Sequence, residues 1–149
     1  MGLKLSTGLR NKVLDTNPLK SVLAGGFIKI YSGTAPADAD AAIGGGNTLL
    51  CTVSVNSTGT GLTFAAAASG GVILKNSSEV WSGVNAASGT ATFYRHVTAS
   101  DTGALSTTEA RIQGTVGLAG TDMVLSNTTL ASGATQTIDY YAIALPASE

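Results

Sequence analysis

The sequence is poor in charged and aromatic side chains. Charged residues make up 11% of the 149 residues and aromatic residues 5%, whereas about 25% of a typical soluble domain is charged. The 8 basic and 9 acidic residues form no cluster, so we expect no direct binding of nucleic acid. No apolar run is long enough to span a membrane, and residues 1–14 lack the apolar stretch of a signal peptide. We therefore expect a protein made in a cytoplasm, without a membrane partner.

Reactive side chains are equally scarce. Cys51 is the only cysteine, which excludes an internal disulfide, and its position in an apolar strand face predicts a raised pKa and low reactivity. His96 is the only histidine, so a triad with Asp101 and a serine would depend on it alone. Because no Gly-x-Ser-x-Gly motif is present, we interpret His96 as a surface histidine on a Thr/Tyr face. We expect no enzymatic activity.

Two other motifs match binding sites only in part. Asp38 and Asp40 lack the remaining ligands of a calcium loop, and residues 44–48 lack the lysine and the following helix of a phosphate-binding loop. We therefore expect no metal and no cofactor. A carbohydrate-binding module that uses Trp81 or the tyrosines as a stacking platform stays open as a remote alternative. Against it, the chain has so few aromatic residues that we expect the core to need them.

The first 26 residues carry helical signals. Ser6 is placed as an N-cap of a short amphipathic helix, and the apolar residues at helical spacing are Leu5, Leu9, Val13 and Leu14. Gly8 costs about 1 kcal/mol relative to alanine, so this helix needs a docking surface. Asn17-Pro18 and Gly25-Gly26 bracket a second short helix.

From Phe27 onward the hydrophobic period changes to two, and turn residues separate short alternating runs. The predicted strands are residues 27–31, 48–55, 61–65, 71–75, 79–83, 90–98, 111–116, 123–126 and 135–145. This pattern predicts a mainly β fold, an antiparallel β-sandwich or barrel (jelly-roll-like), with one or two short N-terminal helices. We expect a single domain, 1–149, in which residues 1–26 pack on or reach beyond the β-domain of residues 27–149.

Two segments of the β-domain suggest contacts with partners. Residues 35–46 form the longest stretch without periodicity, which indicates either an extended arm or a flexible hairpin connection. The last predicted strand is apolar on both faces near its end, which suggests burial against a helix or a neighbouring subunit. Together with the first helix, these segments contribute the predicted contact residues Leu5, Leu9, Val13, Leu14, Pro36, Ala41, Ile43, Tyr141, Ile143 and Leu145.

The surface composition favours assembly. The net charge is −1, and serine and threonine replace most of the ionic surface. Such a surface loses little when it is buried, because few charges need to be desolvated. We therefore predict a structural protein that acts by assembling, as a homo-oligomer for which both dimers and trimers are open.

The sequence LKLSTGLRNKVL of residues 3–14, followed by FIKIYSGTAPADADAA of residues 27–42, resembles small virion proteins of tailed bacteriophages. The remaining Gly/Ala/Thr-rich strands are similar in style to capsid decoration (cement) proteins. The resemblance implies localisation in the virion after synthesis in the host bacterial cytoplasm. It also implies binding to the major capsid protein or other virion proteins, which stabilises the head shell. A neck, tail or baseplate component is the alternative, and no catalytic or ligand residue is implied.

Overall fold

The computed structural model describes residues 2–145 and Ala147. The fold is mainly β, with antiparallel sheets and two short helices near the N-terminus, as predicted. The elements in chain order are β1 Lys4–Leu5, α1 Thr7–Asp15, α2 Leu19–Leu23, β2 Phe27–Ser32, β3 Thr48–Val55, β4 Val72–Leu74, β5 Trp81–Val84, β6 Gly89–Thr90, β7 Phe93–Val97, β8 Arg111–Gly117, β9 Met123–Val124, β10 Thr129–Leu130, β11 Thr135–Ile138 and β12 Ala142–Ala144.

Helix α1 is capped and docked by its first residues. The hydroxyl of Ser6 accepts the Leu9 N–H at 3.1 Å, which confirms the predicted N-cap. Leu9 is fully buried. A Cβ added to Gly8 would lie 2.4 Å from the backbone of Thr108. Glycine at this position therefore allows α1 to approach residues 106–109 closely, and this contact is the docking surface that the helix needs.

One large sheet organises the fold. Its strand order is β1-β8-β7-β2-β3-β5-β11, and neighbouring strands in this order are antiparallel. The short strand β9 joins β8 in parallel. Two small antiparallel sheets, β6 with β10 and β4 with β12, complete the sandwich-like arrangement. The helices and the large sheet share one core, to which Leu9, Leu23 and Ile28 belong.

Both faces of the central strands are buried. In the central strand β7, His96 lies between Ile28 of β2 and Ile112 of β8, which forms one row across the sheet. In the adjacent row, Arg95 lies between Lys29 of β2 and Gln113 of β8. Because successive side chains alternate between faces, the row of His96 faces the apolar core and the row of Arg95 faces the opposite side. All five residues of β7 are buried. The alternation in this strand therefore separates two covered faces rather than a core face from a solvent face.

Two predicted strands are each divided in the structure, and a third is not formed. Residues 135–145 form two strands, because the chain leaves β5 after Ile138 and joins β4 from Ala142 onward. Residues 90–98 divide in the same way between β6 and β7. Residues 61–65 make only isolated bridges, Leu62 with Gly26 and Phe64 with Lys75. Period-two alternation in a sequence shows which face of the sheet each side chain lies on, but it does not show which strand is the pairing partner. A run that changes its partner strand therefore still looks like one continuous strand.

Candidate functional site

The second face of the sheet carries a buried polar cluster. Arg111 binds Asp101 through two hydrogen bonds of 2.7 Å, and both side chains are 1% exposed. This pair is the only salt bridge within residues 2–145 and 147. Burial alone would raise the pKa of Asp101, but the hydrogen bonds from Arg111 lower it. Arg95, which is 1% exposed, donates to the side-chain oxygen of Gln113 at 2.9 Å.

This cluster holds the loop of residues 35–46 against the sheet. Arg95 donates to the Ala41 carbonyl at 2.8 Å, and Gln113 donates to the Pro36 carbonyl at 2.8 Å. Arg111 donates to the carbonyls of Ala39 and Asp40 at 3.2 Å each. The segment lies in the hairpin connection between the antiparallel strands β2 and β3, as the second alternative predicted, and it is folded against the sheet. The prediction of an extended arm is wrong. Hydrogen bonds from residues more than fifty positions away fix its conformation.

The same loop anchors the start of α1. The carboxylate of Asp40 accepts the Thr7 N–H at 2.8 Å and the Thr7 hydroxyl at 2.6 Å. Burial acts to raise the pKa of Asp40, but these two hydrogen bonds lower it. Asp40 thus links the loop to the helix N-terminus.

His96 is buried in an aromatic cluster, so its interpretation as a surface histidine is wrong. Its ring stacks on Phe64 at a centroid distance of 5.6 Å, and its Nδ1 lies 3.3 Å from the hydroxyl of Tyr141. Burial lowers the pKa of His96 to about 4. Asp101 lies on the other face of the sheet with Arg111, so the structure does not bring together the histidine and the aspartate of the considered triad.

Two other sequence interpretations can be compared with the structure. Cys51 is fully buried, and burial raises its pKa to about 11, as predicted. Trp81 is also fully buried and donates its indole N–H to Glu79 at 2.8 Å. It therefore serves the core and offers no stacking platform to a sugar. Of the four tyrosines, only Tyr140 is exposed.

The predicted contact residues fall into three groups. Leu9, Tyr141 and Ile143 are at most 5% exposed and pack in the chain's own core, which corrects their assignment to a partner surface. The half-buried residues are Leu5, Val13, Pro36, Ala41 and Ile43. Leu14 is 83% exposed and Leu145 is 62% exposed. The last two remain available to a partner.

Leu145 borders an apolar groove of about 280 Å³ beside α2, which we call the α2 groove. Its lining residues are Pro18, Leu19, Lys20, Ala68, Gly71, Ile73, Ile143 and Leu145. Lys20 is the only charged residue among them, and its ammonium group donates to the Ala66 carbonyl. The groove can therefore accept an apolar side chain, and Lys20 beside it favours an acidic neighbour of that side chain.

The strand pair beside the groove is apolar on both faces. Ile73 and Ile143 are paired in the β4–β12 ladder and turn to the core and the groove. Their neighbours face the other way because side chains alternate along a strand. There Leu74 is 43% exposed and Ala144 is also exposed. The end of the last predicted strand is thus apolar on both faces, as the sequence indicated. One face is buried inside the chain, and the other is exposed to solvent.

The sequence interpretation missed several exposed apolar residues. Leu105 is 74% exposed, Leu118 62% and Val124 59%. Val124 ends the two-residue strand β9, whereas Leu105 and Leu118 each lie close to glycine or serine residues rather than in a long periodic run. An isolated leucine between turn residues is the sequence feature that could have indicated them.

Within the described ranges, no three His, Cys, Asp or Glu side chains lie close enough together to hold a metal ion. In the same residues, 2–145 and 147, neither helix has the length and hydropathy needed to cross a membrane. The chain matches no protein-family model, no curated protein and no solved structure.

Proposed function

We propose that this chain is a structural protein of a bacteriophage virion, and more specifically a capsid decoration protein that binds the head shell and stabilises it. It acts through subunit contacts, without catalysis or a cofactor, and its partner is the major capsid protein or another virion protein. The resemblance of residues 3–14 and 27–42 to phage virion proteins motivates the virion role.

The α2 groove is the observation that carries the proposal. It is an apolar surface beside an exposed leucine, on a chain of which only 11% of the residues are charged. Apolar surface removed from water contributes about 25 cal/mol per Å². Each copy therefore needs to bury only a modest apolar area, because the stabilising free energy is summed over all copies on a symmetric shell. We propose that an apolar side chain of a shell protein, next to an acidic one, occupies the groove.

The folded loop of residues 35–46 supports the same role. Arg95, Arg111 and Gln113 hold its backbone before any partner is met. A loop that is already ordered loses less conformational entropy when it is buried in an interface. The chain thus offers a partner a preorganised surface.

Binding to shells that lack this protein tests the proposal. Leu145→Asp replaces an apolar lining side chain of the α2 groove by a carboxylate, which competes with the partner's acidic side chain for Lys20. We expect it to weaken binding at least about tenfold, which corresponds to about 1.4 kcal/mol. Leu118→Asp is the matched control, because Leu118 is also 62% exposed but does not line the groove. Bound protein is measured by co-sedimentation with the particles. Equal binding of the two variants would contradict the assignment of the groove.

A neck, tail or baseplate component of the same virion is the second candidate. The open apolar face at Leu74 and Ala144 fits a permanent contact with a neighbouring subunit equally well. The two roles differ in location and stoichiometry: a decoration protein covers the head lattice, whereas a neck or tail protein forms a ring of few copies. Labelling of intact particles separates the two.

A further inference from the structure

Strand β11 forms a free edge of the large sheet. It pairs with β5 on one side, from Thr135 opposite Val84 to Ile138 opposite Trp81. Among the described residues, no strand pairs with its other side.

The register shows which backbone groups of β11 are directed to the free side. The Asn85 N–H donates to the Ala134 carbonyl at 2.8 Å, immediately beyond the pair of Thr135 and Val84. Because hydrogen-bonded and non-bonded pairs alternate along an antiparallel ladder, Gln136 and Ile138 bond to β5. The N–H and C=O groups of Thr135 and Thr137 therefore point away from the sheet.

This edge lacks the features that usually prevent strand pairing. Natural edge strands carry lysine or proline, contain bulges or are very short. Strand β11 has the sequence Thr-Gln-Thr-Ile, without charge, proline or a register shift, and its threonines are exposed. The strand at the opposite end of the sheet order, β1, has only two residues, and one of them is Lys4. The two ends of the sheet therefore differ in how well they are protected.

We propose that β11 pairs with β11 of a second copy of this chain, antiparallel, about a two-fold axis at Gln136. This register places Thr135 opposite the partner's Thr137. Each of these two equivalent pairs forms two backbone hydrogen bonds, because the outward groups belong to these residues. The Thr137 carbonyl already accepts the Gln136 side-chain amide at 3.2 Å, and its second lone pair serves the partner. The two large sheets then become continuous.

The chemistry of the edge favours a copy of this chain as the occupant. An uncharged strand meets its own copy without like-charge repulsion, and β11 is uncharged. The register also sets threonine opposite threonine, a favourable cross-strand pair. Four residues per copy bury much less than the 1,200 Å² or so of a stable interface, so the dimer is weak and depends on concentration. The inference does not depend on the virion role.

Analytical ultracentrifugation of the purified chain, up to about 1 mM, tests the dimer. We expect the wild type to change from monomer to dimer as the concentration rises. In Thr135→Lys/Thr137→Lys, two lysines face each other in both pairs, so this variant stays a monomer. In Thr135→Lys/Thr137→Glu, each pair joins opposite charges, so this variant still dimerises. Both substituted positions, Thr135 and Thr137, are exposed.

Each result decides the proposal. A wild type that is monomeric at about 1 mM overturns it, as does an assembly that persists in the two-lysine variant. If both charge variants are monomeric, the proposed register is wrong. Hydrogen exchange of the wild type needs no variant: the amides of Thr135 and Thr137 should exchange more slowly at high protein concentration than at low concentration. Exchange that is independent of concentration at both amides overturns the proposal, even if a variant fails to fold.

Discussion

Arg111→Met tests whether the buried polar cluster holds the second face of the fold together. The substitution preserves most of the side-chain volume but removes both 2.7 Å hydrogen bonds to Asp101 and the donors to the carbonyls of Ala39, Asp40 and Ala104. Asp101 is then left with a side chain that is 1% exposed and has lost its ion-pair partner.

Breaking a buried ion pair by removing one partner costs about 3–5 kcal/mol. Domains of this size have a free energy of unfolding of about 5–15 kcal/mol, so the loss is a large fraction of the total. With a urea dependence of about 2 kcal/mol per molar, the unfolding midpoint falls by about 2 M. The deficit relative to the wild type should be smaller near pH 4 than at pH 7. Without Arg111, burial raises the pKa of Asp101, so the folded variant takes up a proton between pH 7 and pH 4 that removes the buried charge. The wild-type pair stays ionised at pH 4, because Arg111 holds the pKa of Asp101 below its ordinary value.

Urea unfolding at both pH values measures this effect, and Arg10→Met is the matched control. Arg10 is exposed and its guanidinium bonds only to the Thr7 hydroxyl, so its replacement should change the free energy of unfolding by less than about 0.5 kcal/mol. Adding Asp101→Leu to Arg111→Met should restore most of the stability while hydrogen exchange in residues 39–41 stays faster than in the wild type. If Arg111→Met is as stable as the Arg10→Met control, the cluster does not hold this face.

Three further predictions concern the core. Gly8→Ala should lower the free energy of unfolding by about 1–3 kcal/mol, because the added Cβ would meet the Thr108 backbone. The control Asn11→Ala, on the exposed side of α1, should be neutral or slightly stabilising. A Gly8→Ala variant that is more stable than the wild type would contradict the close docking. As the pH falls from 6.5 to about 4, the free energy of unfolding of the wild type should fall by about 3 kcal/mol relative to that of His96→Gln. The reason is that His96 binds a proton in this range only in the unfolded state. Parallel curves of unfolding free energy against pH for the two proteins would show that His96 is not buried in its neutral form. Cys51 should react with a thiol reagent at pH 8 only after unfolding in urea, and rapid labelling of the folded chain would refute its burial.

Elements formed by local patterns could be predicted from the sequence. Ser6 caps α1 through a residue three positions away, and β3 has the predicted bounds although its pairing with β2 contains a bulge at Leu50. These features depend on neighbours in the sequence, so local spacing is sufficient to find them.

The second buried face could not be predicted in this way. Gln113 occupies a position that period-two alternation assigns to solvent, and the folding of residues 35–46 over Gln113 and Arg95 covers their face of the sheet. The α2 groove likewise combines residues near position 20 with residues near positions 70 and 145. Contacts between such distant segments leave no mark in local periodicity. The low charge of the chain is the one clue, because an arginine inside a strand stands out against it.

The central claim is that this chain acts by assembling into a virion. The most direct test is quantitative mass spectrometry of purified, complete phage particles produced from a genome that carries the coding sequence of this chain. We predict that the chain is present in the particles and that the ratio of its copy number to that of the major capsid protein is fixed, as symmetric attachment to the head requires. Complete, infectious particles without the chain would contradict the proposed function.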